Sequence, residues 1–205
     1  MFEITLQNRS YLLVFSTLLI MGCGESTAST VTQTTSAQTE IAEVSKINIT
    51  QQEFLDALNE ARSMARDCYP DDPTRGEMPA THPLTWNSQL YASALEHATD
   101  LAESDTFSHE GSGTSSDITG DGKPSKFYER IVANGYANYY SVGENIAGGQ
   151  KDLKEVMDAW LQSPGHCVNI MKSSFTEVGV AVVLKEDSTY GIYWAQNFGS
   201  KHKVD

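Results

Sequence analysis

The sequence predicts an α+β domain in which helices flank a small antiparallel sheet. Its first part carries four apolar patterns of helical period, and two of them open with a capping box. From Val178 onward the pattern changes to β-branched and aromatic runs of strand length. A run of helices followed by strands is typical of a layered α+β domain.

The first helix has the clearest start signal. Thr50 and Glu53 are spaced as a capping box, and Ile49 and Phe54 are spaced as a hydrophobic staple. The helix is expected to run to about residue 67 and to break before Pro70. Its predicted core-facing stripe consists of Phe54, Leu58, Ala61 and Ala65.

The second helix is predicted to follow Trp86 and Asn87. One of its faces carries a stripe at helical spacing, formed by Leu90, Ala94, His97 and Leu101. Because His97 lies on this apolar stripe, we interpret it as a histidine at the edge of the core and not as a ligand.

Two shorter helices complete the predicted set. The third covers about residues 126–134, and Gly135 is placed to end it. The fourth begins at a second capping box, Asp152 to Glu155, and Pro164-Gly165 is expected to stop it.

Three strands are predicted. Residues 178–184 and 190–198 form a hairpin around the turn at 186–188, and residues 142–147 form a third strand. A loop at 117–122 begins like a calcium-binding EF-hand. Its third position is Thr119, and its twelfth is Tyr128, where a bidentate glutamate is needed, so a surface loop is expected.

The N-terminus predicts export and lipid anchoring. The apolar run at residues 11–21 is too short to span a bilayer and fits the core of a secretory signal. The following Ile20-Met21-Gly22-Cys23 resembles a bacterial lipobox, with Cys23 as the lipidated residue. An ordinary signal peptide with a chance cysteine is the alternative. The expected location is extracytoplasmic, at the outer membrane in a Gram-negative host.

The predicted organisation has three parts: a signal peptide at 1–22, a Ser/Thr-rich flexible tether at 23–48, and one domain at 49–201. The chain of 205 residues has a net charge of −13. Such an acidic chain repels phosphate backbones, which argues against nucleic acid as a partner. The membrane, reached through the anchor, is the expected partner.

Two cysteines remain after Cys23. In an oxidising compartment Cys68 and Cys167 are an even pair, and a disulfide between them would close a loop of about 100 residues, worth about 4.7 kcal/mol in the chain-entropy model. Two buried free thiols are the alternative, and the bridge is favoured.

Seven segments in order resemble the bacterial branch of the CAP superfamily (cysteine-rich secretory, antigen-five and pathogenesis-related proteins). They read LNEAR at 58–62, PLTWNSQLYASALEHATDLA at 83–102, FSHEG at 107–111, GENIAGG at 143–149, WLQSPGHCVNIM at 160–171, EVGVAV at 177–182 and YWAQNFG at 193–199. The resemblance implies a three-layer α-β-α sandwich with a central cleft.

The resemblance also implies the residues of that cleft. They are the FSH histidine, His109, the GEN glutamate, Glu144, and the PGH histidine, His166. The family's fourth member, an acidic residue after the helix tryptophan, has no counterpart, because Gln162 and Ser163 stand in its place.

Three chemistries suit this trio. Two imidazoles and a carboxylate can bind zinc or another divalent cation, or can act as an acid–base pair with Glu144 as the general base. They can also be a polar, hydrogen-bonded cleft floor. The sequence contains no nucleophile elbow, HExxH motif or phosphate loop.

Three functions therefore stand as hypotheses. A non-enzymatic module that binds a lipid, small molecule or envelope partner comes first. A metal-dependent hydrolase and a structural protein of the cell envelope are the alternatives.

Overall fold

The computed structural model describes residues 49–202, which contain five helices and four strands. The helices are α1 (Gln51–Arg62), α2 (Ser88–Ser104), α3 (Phe127–Ala133), α4 (Leu153–Gln162) and α5 (Pro164–Met171). The strands are β1 (Thr85–Trp86), β2 (Tyr139–Gly148), β3 (Glu177–Leu184) and β4 (Ile192–Lys201). The predicted signal peptide, the lipidated Cys23 and the tether lie outside the described residues.

The four strands form one sheet in the order β1-β3-β4-β2. The predicted hairpin of β3 and β4 and the predicted third strand, β2, are confirmed as antiparallel neighbours. The short β1 pairs parallel with β3, so the sheet is mixed and not purely antiparallel. Two residues carry too little pattern to predict a strand, which is why β1 was missed.

Helices cover both faces of the sheet, which confirms the α-β-α sandwich. Alternate residues of β3 and β4 point to opposite faces, as in any strand. On one face Val180 and Trp194 pack in a core with α1, α4 and α5. On the other face Ala181 and Ala195 pack against α2.

Local signals place the helix starts correctly. Thr50 accepts from the Glu53 amide and Glu53 accepts from the Thr50 amide at 2.7 Å, which completes the predicted capping box. At α4, Asp152 accepts from the Glu155 amide. The Glu155 carboxylate, however, accepts from the Lys151 amide, one residue before the position that a capping box requires.

One helix end was predicted wrongly, and one helix was not predicted. Helix α1 stops at Arg62 and Ala65 is exposed, because the chain turns to pair Arg66 with Met78 in an isolated bridge. Pro164 ends one helix but also begins the next, α5, which was not predicted. Proline at the first helical position is favourable, since the amide it lacks would have no partner there.

Cys68 and Cys167 form the predicted disulfide, with Cα atoms 5.5 Å apart. Both residues are buried in the core shared by α1, α4 and α5. The bridge therefore ties the chain after α1 to α5. Among residues 49–202, no helix is long and apolar enough to cross a membrane.

Candidate functional site

Glu144 lies in the middle of β2, opposite Asn197 of β4. Strand β2 is at the edge of the sheet, so the residues around Glu144 include side chains that reach it from outside the sheet. Its side chain is 1% exposed. A carboxylate removed from water to this degree requires partners for both oxygens.

Protein donors occupy both oxygens of Glu144. Oε1 accepts from His109 Nδ1 at 3.0 Å, and Oε2 accepts from Arg130 Nη2 at 3.0 Å. In the amide orientation that satisfies all its polar atoms, Asn197 also donates to Oε2 at 3.2 Å. His97 Nε2 lies 3.7 Å from Oε1. Glu144 is thus the centre of a closed polar cluster.

The cluster keeps Glu144 ionised. Burial raises the pKa of the Glu144 carboxyl, but the hydrogen bond from His109 and the charge of Arg130 outweigh burial, so the pKa lies below its ordinary value. At neutral pH the buried pair of Glu144 and Arg130 is therefore a carboxylate facing a guanidinium.

Arg130, on α3, is fully buried and connects Glu144 to the loop that carries His109. Its Nη2 also donates to the His109 carbonyl at 3.0 Å, and its Nη1 donates to Ser125 Oγ at 3.0 Å. Ser125 in turn donates to Asp117 Oδ1 at 2.5 Å. The Arg130 guanidinium thus holds both the Glu144 carboxylate and the backbone of His109, the histidine that donates to this carboxylate.

The loop between α2 and α3 folds inward around Asp117. Its carboxylate is buried and accepts from the Gly113 and Ser125 amides, so this residue of the rejected EF-hand segment supports the loop from inside. A Cβ on Gly111 would lie 2.2 Å from Asp117 Oδ2. The FSHEG segment therefore requires glycine at 111, immediately beside the site.

His97 is fully buried beneath the site, deeper than the predicted core edge. Its Nε2 donates to the Ser108 carbonyl at 2.9 Å, so this nitrogen carries a proton. Burial lowers the pKa of the His97 imidazole, although Glu144 opposes the shift. His97 is thus a neutral side chain that supports the residue before His109.

His166 reaches the site from α5, on the far side of β2. Asn145 Nδ2 donates to the His166 carbonyl at 3.2 Å, and Asn169 Nδ2 donates to the Glu144 carbonyl at 3.1 Å. Burial, followed by the nearby His109, lowers the pKa of His166. These amides and the disulfide at Cys167 hold the helix against the edge of the sheet.

The rings of the two candidate histidines lie close together. The ring centroids of His109 and His166 are 6.4 Å apart, and 51% of the His109 side chain is exposed. The structure therefore brings His109, Glu144 and His166 to one place. Gln162 and Ser163 follow Trp160 without adding an acidic side chain.

The donor set fits a metal only in part. Within residues 49–202, no three His, Cys, Asp or Glu side chains are grouped so that they could hold a metal ion. Both oxygens of Glu144 already accept hydrogen bonds, and Arg130 places a positive charge against one of them. Only the exposed His109 and the half-buried His166 remain as candidate donors, so the residues present fit a two-histidine site and not a three-residue one.

An apolar groove lies elsewhere on the domain. A groove of about 420 Å³ runs between α1 and α4. Its lining is mainly apolar, with charged residues at the rim: Ala57, Glu60, Ala61, Met64, Arg66, Leu153, Lys154, Met157, Asp158 and Leu161. None of the three candidate residues contributes to it.

The fold and site define an α-β-α domain in which a buried carboxylate on the edge strand lies beside two histidines whose rings are close together. The model of the cysteine-rich secretory protein family (CAP) matches residues 55–198. The chain therefore belongs to the cysteine-rich secretory protein family.

The comparisons also found a relative and solved structures that are similar to this chain. The uncharacterized protein YkwD of Bacillus subtilis is 33% identical over 119 residues, which are 58% of this chain and 40% of that protein. The chain thus spans less than half the length of this relative. An extracellular Bacillus anthracis protein containing an SCP domain aligns at a TM-score of 0.52 and 24% identity, covering 73% of this chain and 40% of that one. An outer surface protein of Borrelia burgdorferi aligns at a TM-score of 0.50 and 21% identity. This alignment covers 75% of this chain and 97% of that one.

The sequence analysis did not predict two residues of the site, Arg130 and Asn197. It placed His97 at the edge of the core but did not predict its contact with the Ser108 carbonyl. Arg130 lies in a short helix with charged and apolar neighbours, where an arginine is ordinarily exposed. The one sequence feature that could have indicated the burial of Arg130 is its position beside the apolar Ile131, in the helix that follows the FSHEG loop. For Asn197, within YWAQNFG, the only sequence feature was the period-2 alternation of its strand, which indicates a face of the sheet but not a partner.

Proposed function

We propose that this protein is a non-enzymatic binding module, lipid-anchored outside the cytoplasm, that presents His109 and His166 to a ligand. The observation that carries the proposal is the closed state of Glu144, whose two oxygens already accept from His109 and Arg130 inside the protein. The exposed part of the cleft is then an imidazole pair on a rigid floor. Such a surface is suited to holding a ligand.

The hydrolase alternative assigns Glu144 as general base and fits this geometry poorly. A general base needs an oxygen within hydrogen-bond reach of the substrate proton and a pKa near the working pH. The Glu144 side chain is 1% exposed, and the pKa of its carboxyl is lowered and not raised. These features support a structural role in which Glu144 orients His109.

That role extends to metal binding. His109 Nδ1 donates to Glu144 Oε1, so Nε2 keeps its lone pair and is free to ligate. A carboxylate that orients a histidine through its other nitrogen is the usual outer partner of a metal ligand. We therefore assign zinc, or another divalent cation, to His109 and His166, with Glu144 outside the first shell. When bound, the metal would offer open positions to a donor atom of the ligand.

A zinc titration tests this assignment. At one hundred times its dissociation constant, zinc should stabilise the protein by about 2.7 kcal/mol, which is visible as a rise in melting temperature. His109→Ala and His166→Ala should each abolish the rise, whereas the control His202→Ala should keep it. No rise in the wild type would remove metal binding from the proposal and favour the structural envelope protein.

The anchor has its own test. If Cys23 carries lipid, the wild type should incorporate labelled palmitate and sediment with membranes, because two or more acyl chains anchor a protein stably. Cys23→Ser should do neither, and Cys68→Ser should still be labelled. Equal labelling of wild type and Cys23→Ser would contradict the lipobox. The disulfide supports an extracytoplasmic location, because disulfides persist in oxidising compartments.

A further inference from the structure

A second polar cleft, of about 450 Å³, lies at the end of β4 and is separate from the histidine site. It is bounded by the start of β2, by the segment between α5 and β3, and by the loop before β1. Its lining consists of hydroxyl, imidazole and lysine residues: His82, Tyr140, Ser173, Ser174, Thr176, Ser200, Lys201 and His202. Among the described residues that form this lining, there is no Asp or Glu.

Two hydroxyls of this cleft are buried without a partner. Ser174 Oγ and Ser200 Oγ are both shielded from solvent, and neither forms a hydrogen bond within the described residues. Ser200 as a whole is 4% exposed. A buried hydroxyl without a partner is unfavourable, so such groups in a native protein call for a partner that comes from solution.

The charge behind the cleft identifies the kind of partner. Arg62 is fully buried, and four backbone carbonyls accept from its guanidinium: those of His82, Ile170, Lys172 and Phe175. Burial lowers the pKa of Arg62 only to about 10, so the group stays charged at neutral pH. Within the described residues no carboxylate neutralises it. Its positive field therefore reaches the segment that carries Ser174.

Lys201 is the last residue of β4, and His202 follows it directly. The Lys201 ammonium lies 3.8 Å from the centre of the Tyr136 ring and donates to the Ala137 carbonyl, away from the cleft. His202 instead contacts Tyr140, with ring centroids 5.7 Å apart, and shares the cleft with Ser200. The other lining imidazole, His82, donates through Nε2 to the Phe175 carbonyl at 3.1 Å. The hydroxyls and His202 are thus the donors that remain for the cleft.

We propose that this cleft binds a small oxyanion of the phosphate type, with the Ser174 and Ser200 hydroxyls as donors. An anion accepts hydrogen bonds from hydroxyls and is attracted by the positive charge of Arg62. A cation would be repelled by the same charge, and the lining offers no carboxylate to bind it. In a chain of net charge −13, a cleft lined without acids is a local exception that favours an anion.

Titration of the purified full-length chain with inorganic phosphate, followed by calorimetry at constant ionic strength, tests the proposal. Saturable binding is expected. Ser174→Ala and Ser200→Ala should each weaken it by about three- to tenfold, the loss of one net hydrogen bond. Ser88→Ala, an exposed serine at the start of α2, should leave it unchanged. Absence of saturable binding, or equal affinity of both cleft variants and the wild type, would overturn the proposal.

A stability measurement separates ligand binding from a structural role. Without phosphate, Ser200→Ala should melt at the wild-type temperature or above it, because the change removes an unsatisfied buried hydroxyl. A clear fall in melting temperature would mean that Ser200 has a protein partner, which contradicts the proposal. Glycerol phosphate in a parallel titration identifies the source. Tighter binding than inorganic phosphate assigns a phosphomonoester, and equal binding assigns the free ion.

Discussion

Replacing Arg130 with methionine is expected to destabilise the protein by about 3–5 kcal/mol, the cost of leaving a buried charge without its partner. The guanidinium is fully buried, donates to Glu144 Oε2 at 3.0 Å, and also donates to the His109 carbonyl and to Ser125. Methionine preserves most of the volume but satisfies none of these acceptors. Urea denaturation of the two proteins measures the difference.

Two control variants isolate the cause. The double change Arg130→Met with Glu144→Leu should lose less than Arg130→Met alone, because it removes both charges of the buried pair. Arg75→Met removes an exposed ion pair with Asp72 and should stay within about 0.5 kcal/mol of the wild type. A loss below about 1 kcal/mol for Arg130→Met would show that Glu144 does not depend on this guanidinium.

Removing the disulfide has the second large expected effect. The double variant Cys68→Ser, Cys167→Ser should lose about 2–5 kcal/mol of unfolding free energy, since the bridge closes a long loop in the unfolded chain and both positions lie in the core. Equilibrium unfolding in urea, under conditions that keep the wild type oxidised, provides the measurement.

Reduced wild type is the matched control for this variant. With the bridge opened by a reductant, its midpoint should fall close to that of the double serine variant. If reduction leaves the midpoint unchanged, the disulfide contributes nothing to stability and the pairing has no energetic role. The His166→Ala variant should keep the oxidised midpoint in the absence of metal, because this change removes neither the bridge nor a partner of the Glu144 carboxylate.

Elements with a strong local signal were predictable from sequence. The capping residues Thr50 and Asp152 and the alternation in β3 and β4 act within a few residues, so their outcome depends little on the rest of the fold. The end of α1 depends on a contact outside the helix. The bridge from Arg66 to Met78 overrides the helical propensity of Ala65, and no local pattern announces such a bridge.

The residues of the site also differ in whether they could be predicted from the sequence. His109, Glu144 and His166 were found through motif resemblance, but their sequence separations alone do not show that they converge. Arg130 was missed because its partners, Glu144 and the His109 carbonyl, come from other segments and its own helix shows no unusual pattern. A buried polar cluster is specified jointly by residues far apart in sequence, so its members are recognisable only once the fold brings them together.

The protonation of Glu144 tests the central claim most directly. The carboxyl carbon of a glutamate changes its chemical shift on ionisation, and NMR can follow that signal in labelled protein as the pH is lowered. If Glu144 is the closed floor of the cleft, it should remain ionised at about pH 4.3, where an ordinary glutamate is half protonated, because His109 and Arg130 hold its pKa down. Half-titration near pH 6 to 7, the range of a tuned general base, would contradict the account and restore the hydrolase hypothesis.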